Sequence, residues 1–219
     1  MARPRTLYLL AYNVVQTCGW TLSLSWILAN TALTKSLDGA YSSAASLIGF
    51  LQLLAVMEVL HALTGLTPGS VTPALLQWGG RTHFLFAIVR RIPEVQELPS
   101  VFITFTAWSI SEVIRYSHYA MSCIDLCPSW LIYLRYTAFI ALYPIGVFPG
   151  EMWLMYQALP LIKGEHLYEA FFSSFPFSYY AFVVALLVCY PFLWFNLYMY
   201  LFRQRHSRLR KTRRGRKEE

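Results

Sequence analysis

An all-α fold, a polytopic membrane bundle of six transmembrane helices, is what this sequence predicts, and three observations carry that prediction. Of 219 residues, 57% are apolar and 13% charged, against roughly 45–50% and about 25% in a soluble domain. That balance excludes a disordered chain and weighs against a water-soluble globule. The apolar residues gather into runs near the ~20 residues that cross a bilayer, with connections too short to hold a separate soluble domain. Aromatic residues make up 17%, with 15 Tyr, 15 Phe and 7 Trp, which suits helices whose amphipathic rings sit at the lipid interface.

Taken in order, the first span is expected from about Leu7 to Leu28. Arg3 and Arg5 precede it with no small-residue cleavage site, so it reads as a retained span. Its Asn13 and Gln16 are expected to face other helices. Lys35 and Asp38 mark a connection to a second span, Ala44 to Leu63, apolar except for Gln52, Glu58 and His61. Gly65, Pro68, Gly69 and Pro73 then read as a turn-rich loop. The third span, Ala74 to Ile92, is the weakest because Gly79-Gly80-Arg81 interrupts it. RRIPEVQELP, from Arg90 to Pro99, is a loop, and the fourth span covers Ser100 to Ala120. A fifth apolar region, Trp130 to Ile162, is too long for one straight crossing and is broken by Pro144, Gly146, Pro149 and Gly150. The last span runs from Tyr179 to Phe202, bent at Pro191.

The chain therefore divides into a membrane-embedded part, 1–202, and a basic tail, 203–219. The formal charge is +7, and nine of the 18 Lys and Arg fall between Arg203 and Lys217. This run reads as a solvated, disordered cytosolic tail that sets orientation and attracts anionic lipid. Six crossings place both termini in the cytosol, although Arg90 and Arg91 then fall on the lumenal side, where positive charge is scarce. A third segment that dips in and returns would reduce the count to five. Cys18, Cys123, Cys127 and Cys189 are scattered, with neither a disulfide framework nor zinc-site spacing.

Ionisable groups are expensive in the bilayer core, so each one inside a span is a candidate site. Glu58 and His61, three apart, share a helical face, either as a buried polar pair or as part of a site. Glu112, Arg115, Tyr116 and Tyr119 form one stripe in which Glu112 and Arg115 neutralise each other. The fifth region is densest, with Arg135, Tyr136 and then Tyr143-Pro-Ile-Gly-Val-Phe-Pro-Gly-Glu151. Glu151 follows a Pro/Gly break with no cation in the preceding 15 residues. Non-helical backbone at membrane depth belongs beside protein or a cavity. A carboxylate and a phenol there suit proton chemistry, and a hinge with Glu151 at the aqueous boundary is the alternative.

No H-x-x-H-H, H-E-x-x-H, G-x-G-x-x-G, Walker A or G-x-S-x-G motif occurs. Chemistry without metal or redox cofactor fits best. WSISEVIRYSHYA (Trp108 to Ala120), LRYTAFIALYPIGVFPGE (Leu134 to Glu151), YQALP (Tyr156 to Pro160) and LLAVMEVLHALTGLTPG (Leu53 to Gly69) resemble the 3-hydroxyacyl-CoA dehydratases of very-long-chain fatty acid elongation, once called protein-tyrosine-phosphatase-like proteins. The likeness spans about Tyr8 to Phe202.

The resemblance implies a six-span endoplasmic reticulum enzyme that removes water from a (3R)-3-hydroxyacyl-CoA to give the trans-2-enoyl-CoA. It implies no cofactor, membrane lipid and other elongation enzymes as partners, and no nucleic acid. It maps the catalytic pair onto Tyr143 and Glu151, with Glu151 as base at C2 and Tyr143 as donor to the leaving hydroxyl, or the reverse. Arg115 and Arg135 then hold a carboxylate or approach the CoA phosphates, and Tyr116 and Tyr136 line the acyl channel. The phosphatase label finds no support, since neither Cys123 nor Cys127 begins a C-x5-R loop. The final Arg216-Lys217-Glu218-Glu219 partly resembles a dilysine-type retrieval signal.

The family pattern places seven steps between Tyr and Glu, whereas here there are eight. On a regular α-helix eight steps leave the two residues about 80° apart. That spacing favours a non-catalytic relative that binds elongase or other partners. A small transporter is a third reading, resting on the buried charges and the broken helix.

Overall fold

A computed structural model describes residues 4–68 and 70–218, with side chains through His206. Gly69, Arg3, Glu219 and the basic side chains beyond His206, including the retrieval-like terminus, lie outside the described residues. Among those described, the regular structure is all helical with no strand, in agreement with the all-α expectation.

Helix α1, Pro4–Thr34, outruns the expected span at both ends. Its polar residues turn inward as expected, Asn13 and Gln16 both being buried. Helices α2, Ala40–Leu54, and α3, Val56–Leu63, make one pass jointed at Ala55. Side chains add donors to the carbonyls at this joint: Trp78 Nε1 to Gln52 O at 3.1 Å and Gln16 Nε2 to Leu51 O at 3.4 Å, the latter also accepting the Ala55 N–H. Helix α4, Val71–Thr82, continues directly into a π-helical segment, His83–Val89. Gly79-Gly80-Arg81 therefore interrupts nothing, a correction to the sequence reading; single glycines cost a helix only about 1 kcal/mol, and this pass is held by its packing.

A short 3₁₀ turn, Pro93–Val95, leads to α5, Pro99–Cys123. The fifth pass consists of α6, Ser129–Arg135, α7, Phe139–Ile145, a second π-helical segment, Gly146–Met152, and α8, Trp153–Gly164. The expected Pro/Gly break is thus a widened helical turn, because i→i+5 bonding relieves the clash a proline makes in an α-helix. After the short α9, Glu169–Phe172, helix α10 runs Tyr179–Glu218 without ending near Phe202. The tail continues as helix where a disordered segment was expected.

The six passes alternate in direction, so the described chain starts and finishes at the same end of the bundle. Arg5 donates to Leu66 O at that end, and Gly39 N–H to Glu97 Oε2 at 2.6 Å at the other. Gly39 has a φ of 77°, and a Cβ there would lie 2.9 Å from Asn30 Nδ2, so the turn requires glycine. Helix α5 is the hub, packed against α1, α2 and the whole fifth pass. Three passes, Ala40–Leu63, Ser129–Gly164 and Tyr179–His206, are long and apolar enough to cross a membrane. The large apolar side chains left exposed, such as Leu76, Trp130 and Phe192, form the surface such a protein turns to lipid.

Candidate active site

Two polar centres lie inside the bundle. The first is a network of four charges from three passes. Arg115 Nε meets Glu112 Oε2 at 2.6 Å, its Nη1 meets Glu58 Oε2 at 2.6 Å and its Nη2 meets Glu58 Oε1 at 3.0 Å. Arg81 closes on the other oxygen of Glu112, and Tyr116 donates to Glu58 Oε1. Two arginines and two glutamates cancel, so the burial of these charges is offset by pairing. A cleft of about 20 Å³, room for roughly one water, opens at the Ala55 joint between Gln52, Glu58, Trp78, Arg81 and Arg115.

The expected Glu112–Arg115 pair is therefore present, but as part of a larger set. The expected Glu58–His61 pair is not: Glu58 turns to Arg115, while His61 shares a 2.9 Å hydrogen bond with Tyr8 and packs edge to face on Tyr12. Arg81 has a place here that sequence reasoning missed by treating it as part of an interruption. Its signal was a lone cation in an apolar run.

The second centre is Glu151, 8% exposed. Trp108 Nε1 donates to Oε1 at 2.7 Å and the Tyr190 hydroxyl donates to Oε2. Among the described residues Glu151 forms no ion pair. Its nearest link to the charge network is Trp108, whose ring lies under the Arg81 guanidinium at 4.8 Å. Both oxygens accept donors, as an ionised carboxylate can. Neither Trp108 nor Tyr190 was singled out from the sequence, because an aromatic in an apolar span carries no distinguishing mark.

Tyr143 lies one helical segment earlier, with its ring stacked on Tyr198 at 6.5 Å. The π segment between Tyr143 and Glu151 bears on their spacing. Trp153 N–H bonds to Phe148 O, five residues back, and an i→i+5 turn holds one more residue than an α turn. One absorbed residue cancels about 100° of rotation, so eight steps here serve as seven do on an α-helix. Proline also leaves a mark outside the helix: Pro144 cannot bond Ile140 O, and the Tyr198 hydroxyl of α10 donates to it instead at 3.0 Å.

Glycine lets this segment close on α5. A Cβ on Gly150 would lie 2.6 Å from Thr104 Oγ1, and that hydroxyl is pinned by its own 2.8 Å bond to Ser100 O. Gly150→Ala is expected to cost about 1–3 kcal/mol of stability, read as a lower melting temperature in detergent, and Thr104→Ala added to it should restore most of the loss.

Arg135 and Tyr136 stand apart from both centres. Arg135 Nη2 bonds the Tyr119 hydroxyl at 3.3 Å, and Tyr136 packs on His118. Of the expected site residues, Arg115, Tyr116, Glu58 and Glu112 are gathered in one network, and Tyr143 and Glu151 face α10. His61 and Arg135 with Tyr136 lie in separate contacts.

The family described as protein tyrosine phosphatase-like protein, PTPLA, matches residues 52–211. Very-long-chain (3R)-3-hydroxyacyl-CoA dehydratase 2 of Homo sapiens is 35% identical over 217 residues, 98% of this chain and 85% of that protein. Very-long-chain (3R)-3-hydroxyacyl-CoA dehydratase 1 of Ovis aries is 33% identical, over 92% of this chain and 71% of that protein. Very-long-chain (3R)-3-hydroxyacyl-CoA dehydratase PASTICCINO 2 of Arabidopsis thaliana is 32% identical over 96% of each. No solved structure matches.

Proposed function

This chain belongs to the protein tyrosine phosphatase-like family, PTPLA, and we propose that it catalyses the reaction for which its relatives are named, dehydration of a very-long-chain (3R)-3-hydroxyacyl-CoA to the trans-2-enoyl-CoA. It is a carbon–oxygen lyase of fatty acid elongation. The observation that carries the reading is a buried carboxylate held by two donors, with a phenol one helical segment earlier on the same pass.

The α-proton of a thioester is weakly acidic and a β-hydroxyl leaves poorly, so elimination needs a base and an acid on one substrate. Glu151, with both oxygens accepting hydrogen bonds, is the base at C2. Tyr143 gives its proton to the departing hydroxyl. Trp108 and Tyr190 orient the carboxylate. The charge network around Arg115 is scaffold and fixes α3, α4 and α5 around the site.

The six passes are six membrane crossings, with both ends on the cytosolic side of the endoplasmic reticulum, as the basic residues from Arg203 onward favour. Residues 1–202 form the membrane-embedded enzyme and 203–219 its basic extension. Other elongation enzymes are its partners, since its substrate is the product of one membrane reaction and its product the substrate of the next.

Purified protein is expected to convert a long-chain 3-hydroxyacyl-CoA to the enoyl product, and conversion no greater than that of an empty membrane would reject the reading. The spacing argument has its own test. Deleting Pro149 restores seven steps and is expected to retain activity within about tenfold. Inserting one alanine after Val147 swings Glu151 by about 100° and is expected to abolish turnover. Equal activity in the two variants would dismiss the role of the π segment.

A further inference from the structure

Helix α10 meets the fifth pass along one stripe, Tyr190, Trp194 and Tyr198, spaced i, i+4, i+8 on a single face. The two passes run antiparallel, so the stripe maps in reverse. Tyr190 reaches Glu151, Trp194 lies edge to face on Phe148 at 4.8 Å, and Tyr198 stacks with Tyr143 at 6.5 Å. Trp194 also stacks on Tyr198, with centroids 4.6 Å apart and planes 19° apart. Its indole thus occupies the interval between the two groups assigned to acid and base.

Trp194 Nε1 is buried and has no hydrogen-bond partner among the described residues. The indoles of Trp20, Trp78 and Trp108 all donate to protein oxygens. Leaving a buried donor unmet is costly, and in hydrocarbon no solvent compensates for it. A donor held unmet beside a reaction centre is the arrangement expected of a group whose acceptor arrives with the substrate.

Building on the dehydratase reading, we propose that Trp194 donates its Nε1–H to the thioester carbonyl oxygen of the acyl-CoA and stabilises the enolate that forms there. Glu151 takes the C2 proton, and the C–H electron pair moves onto the carbonyl oxygen, where the indole N–H meets it. The pair then returns to make the C2–C3 double bond as the C3–O bond breaks. Tyr143 protonates the departing oxygen and water leaves. Glu151 is left protonated and Tyr143 as phenolate, and one proton passed from the first to the second restores both.

The test compares wild type, Trp194→Phe and Phe192→Leu in the purified, full-length protein. Trp194→Phe keeps an aromatic ring and removes only the donor; kcat is expected to fall roughly 100- to 1000-fold, while Phe192→Leu, on the exposed face, keeps wild-type turnover. Infrared spectra of bound enoyl-CoA labelled at the thioester carbonyl supply a readout that packing alone does not move. The carbonyl band is expected at lower frequency in wild type than in Trp194→Phe. Should Trp194→Phe fail to fold, the benzothiophene analogue of tryptophan, with sulfur in place of N–H, replaces it in the same measurements. An active wild type with Trp194→Phe within threefold and an unshifted carbonyl band would overturn the inference and leave the dehydratase standing. An inactive wild type would overturn both.

Discussion

Glu151→Gln is expected to lower kcat roughly 1000-fold, within the range that a positioned general base supplies. The substitution preserves shape and removes the proton-accepting charge. It also sets a hydrogen-bonding conflict, because Trp108 and Tyr190 each present a donor to Glu151, and an amide offers one oxygen and one NH₂ group. The hydroxyl of Tyr190 can rotate to accept from the NH₂, whereas the Trp108 indole can only donate. The glutamine oxygen is therefore expected to face Trp108, and stability should fall by no more than about 1–2 kcal/mol. Turnover measured beside a melting curve separates the two effects. Wild-type turnover in a folded Glu151→Gln protein would reject the base assignment, while loss of turnover with loss of folding would assign Glu151 to the scaffold. Tyr143→Phe should resemble Glu151→Gln in turnover, with little effect on stability, since no hydrogen bond of the folded chain among those described rests on its hydroxyl.

The largest loss of stability is expected at Arg115. Its guanidinium contacts both Glu58 and Glu112, so Arg115→Met strands two carboxylates, of which only Glu112 retains a cation, Arg81. Breaking a buried pair by removing one partner costs about 3–5 kcal/mol. Arg115→Met is accordingly expected to lower the yield of folded protein sharply. Removing Glu58 as well, in Arg115→Met/Glu58→Leu, should recover much of that loss, because the double variant leaves Arg81 paired with Glu112 and no unmatched charge. A double variant no more stable than Arg115→Met would show that the network is held by something other than charge balance.

Much of this architecture was legible in the sequence. Apolar runs near the length of a bilayer crossing gave the order of the passes, and Asn13 and Gln16 turned inward as their cost in lipid requires. The Glu112–Arg115 pair followed from a spacing of three. What the sequence concealed are effects of packing on local rules. Gly79 and Gly80 suggested a break that α4 does not contain, because the pass is held by contacts from α2 and α3. Pro149 and Gly150 suggested irregular backbone, and a π turn kept the segment helical. Partnerships across the fold were hidden as well: Glu58 lies nearer His61 in sequence yet pairs with Arg115, and Tyr190 and Trp108 reach Glu151 from other passes. Nothing in the local pattern of an apolar helix marks which of its aromatics carries a hydrogen bond inward.

The four-charge network also bears on how such a chain enters a membrane. In the order of synthesis, the hairpin of α3 and α4 carries Glu58 and Arg81, and α5 carries Glu112 and Arg115. On the proposed six-crossing arrangement, each of these units, with one charge of either sign, would pass into lipid electrically neutral, whereas α3 or α4 alone would carry an unmatched charge at a cost of several kcal/mol. In the fold the pairs cross between the units, Arg81 with Glu112 and Arg115 with Glu58 as well as Glu112. Glu112 and Arg115 thus keep their local pair while tying α5 to α4 and α3, so charges that balance within each unit also bind separate helices together.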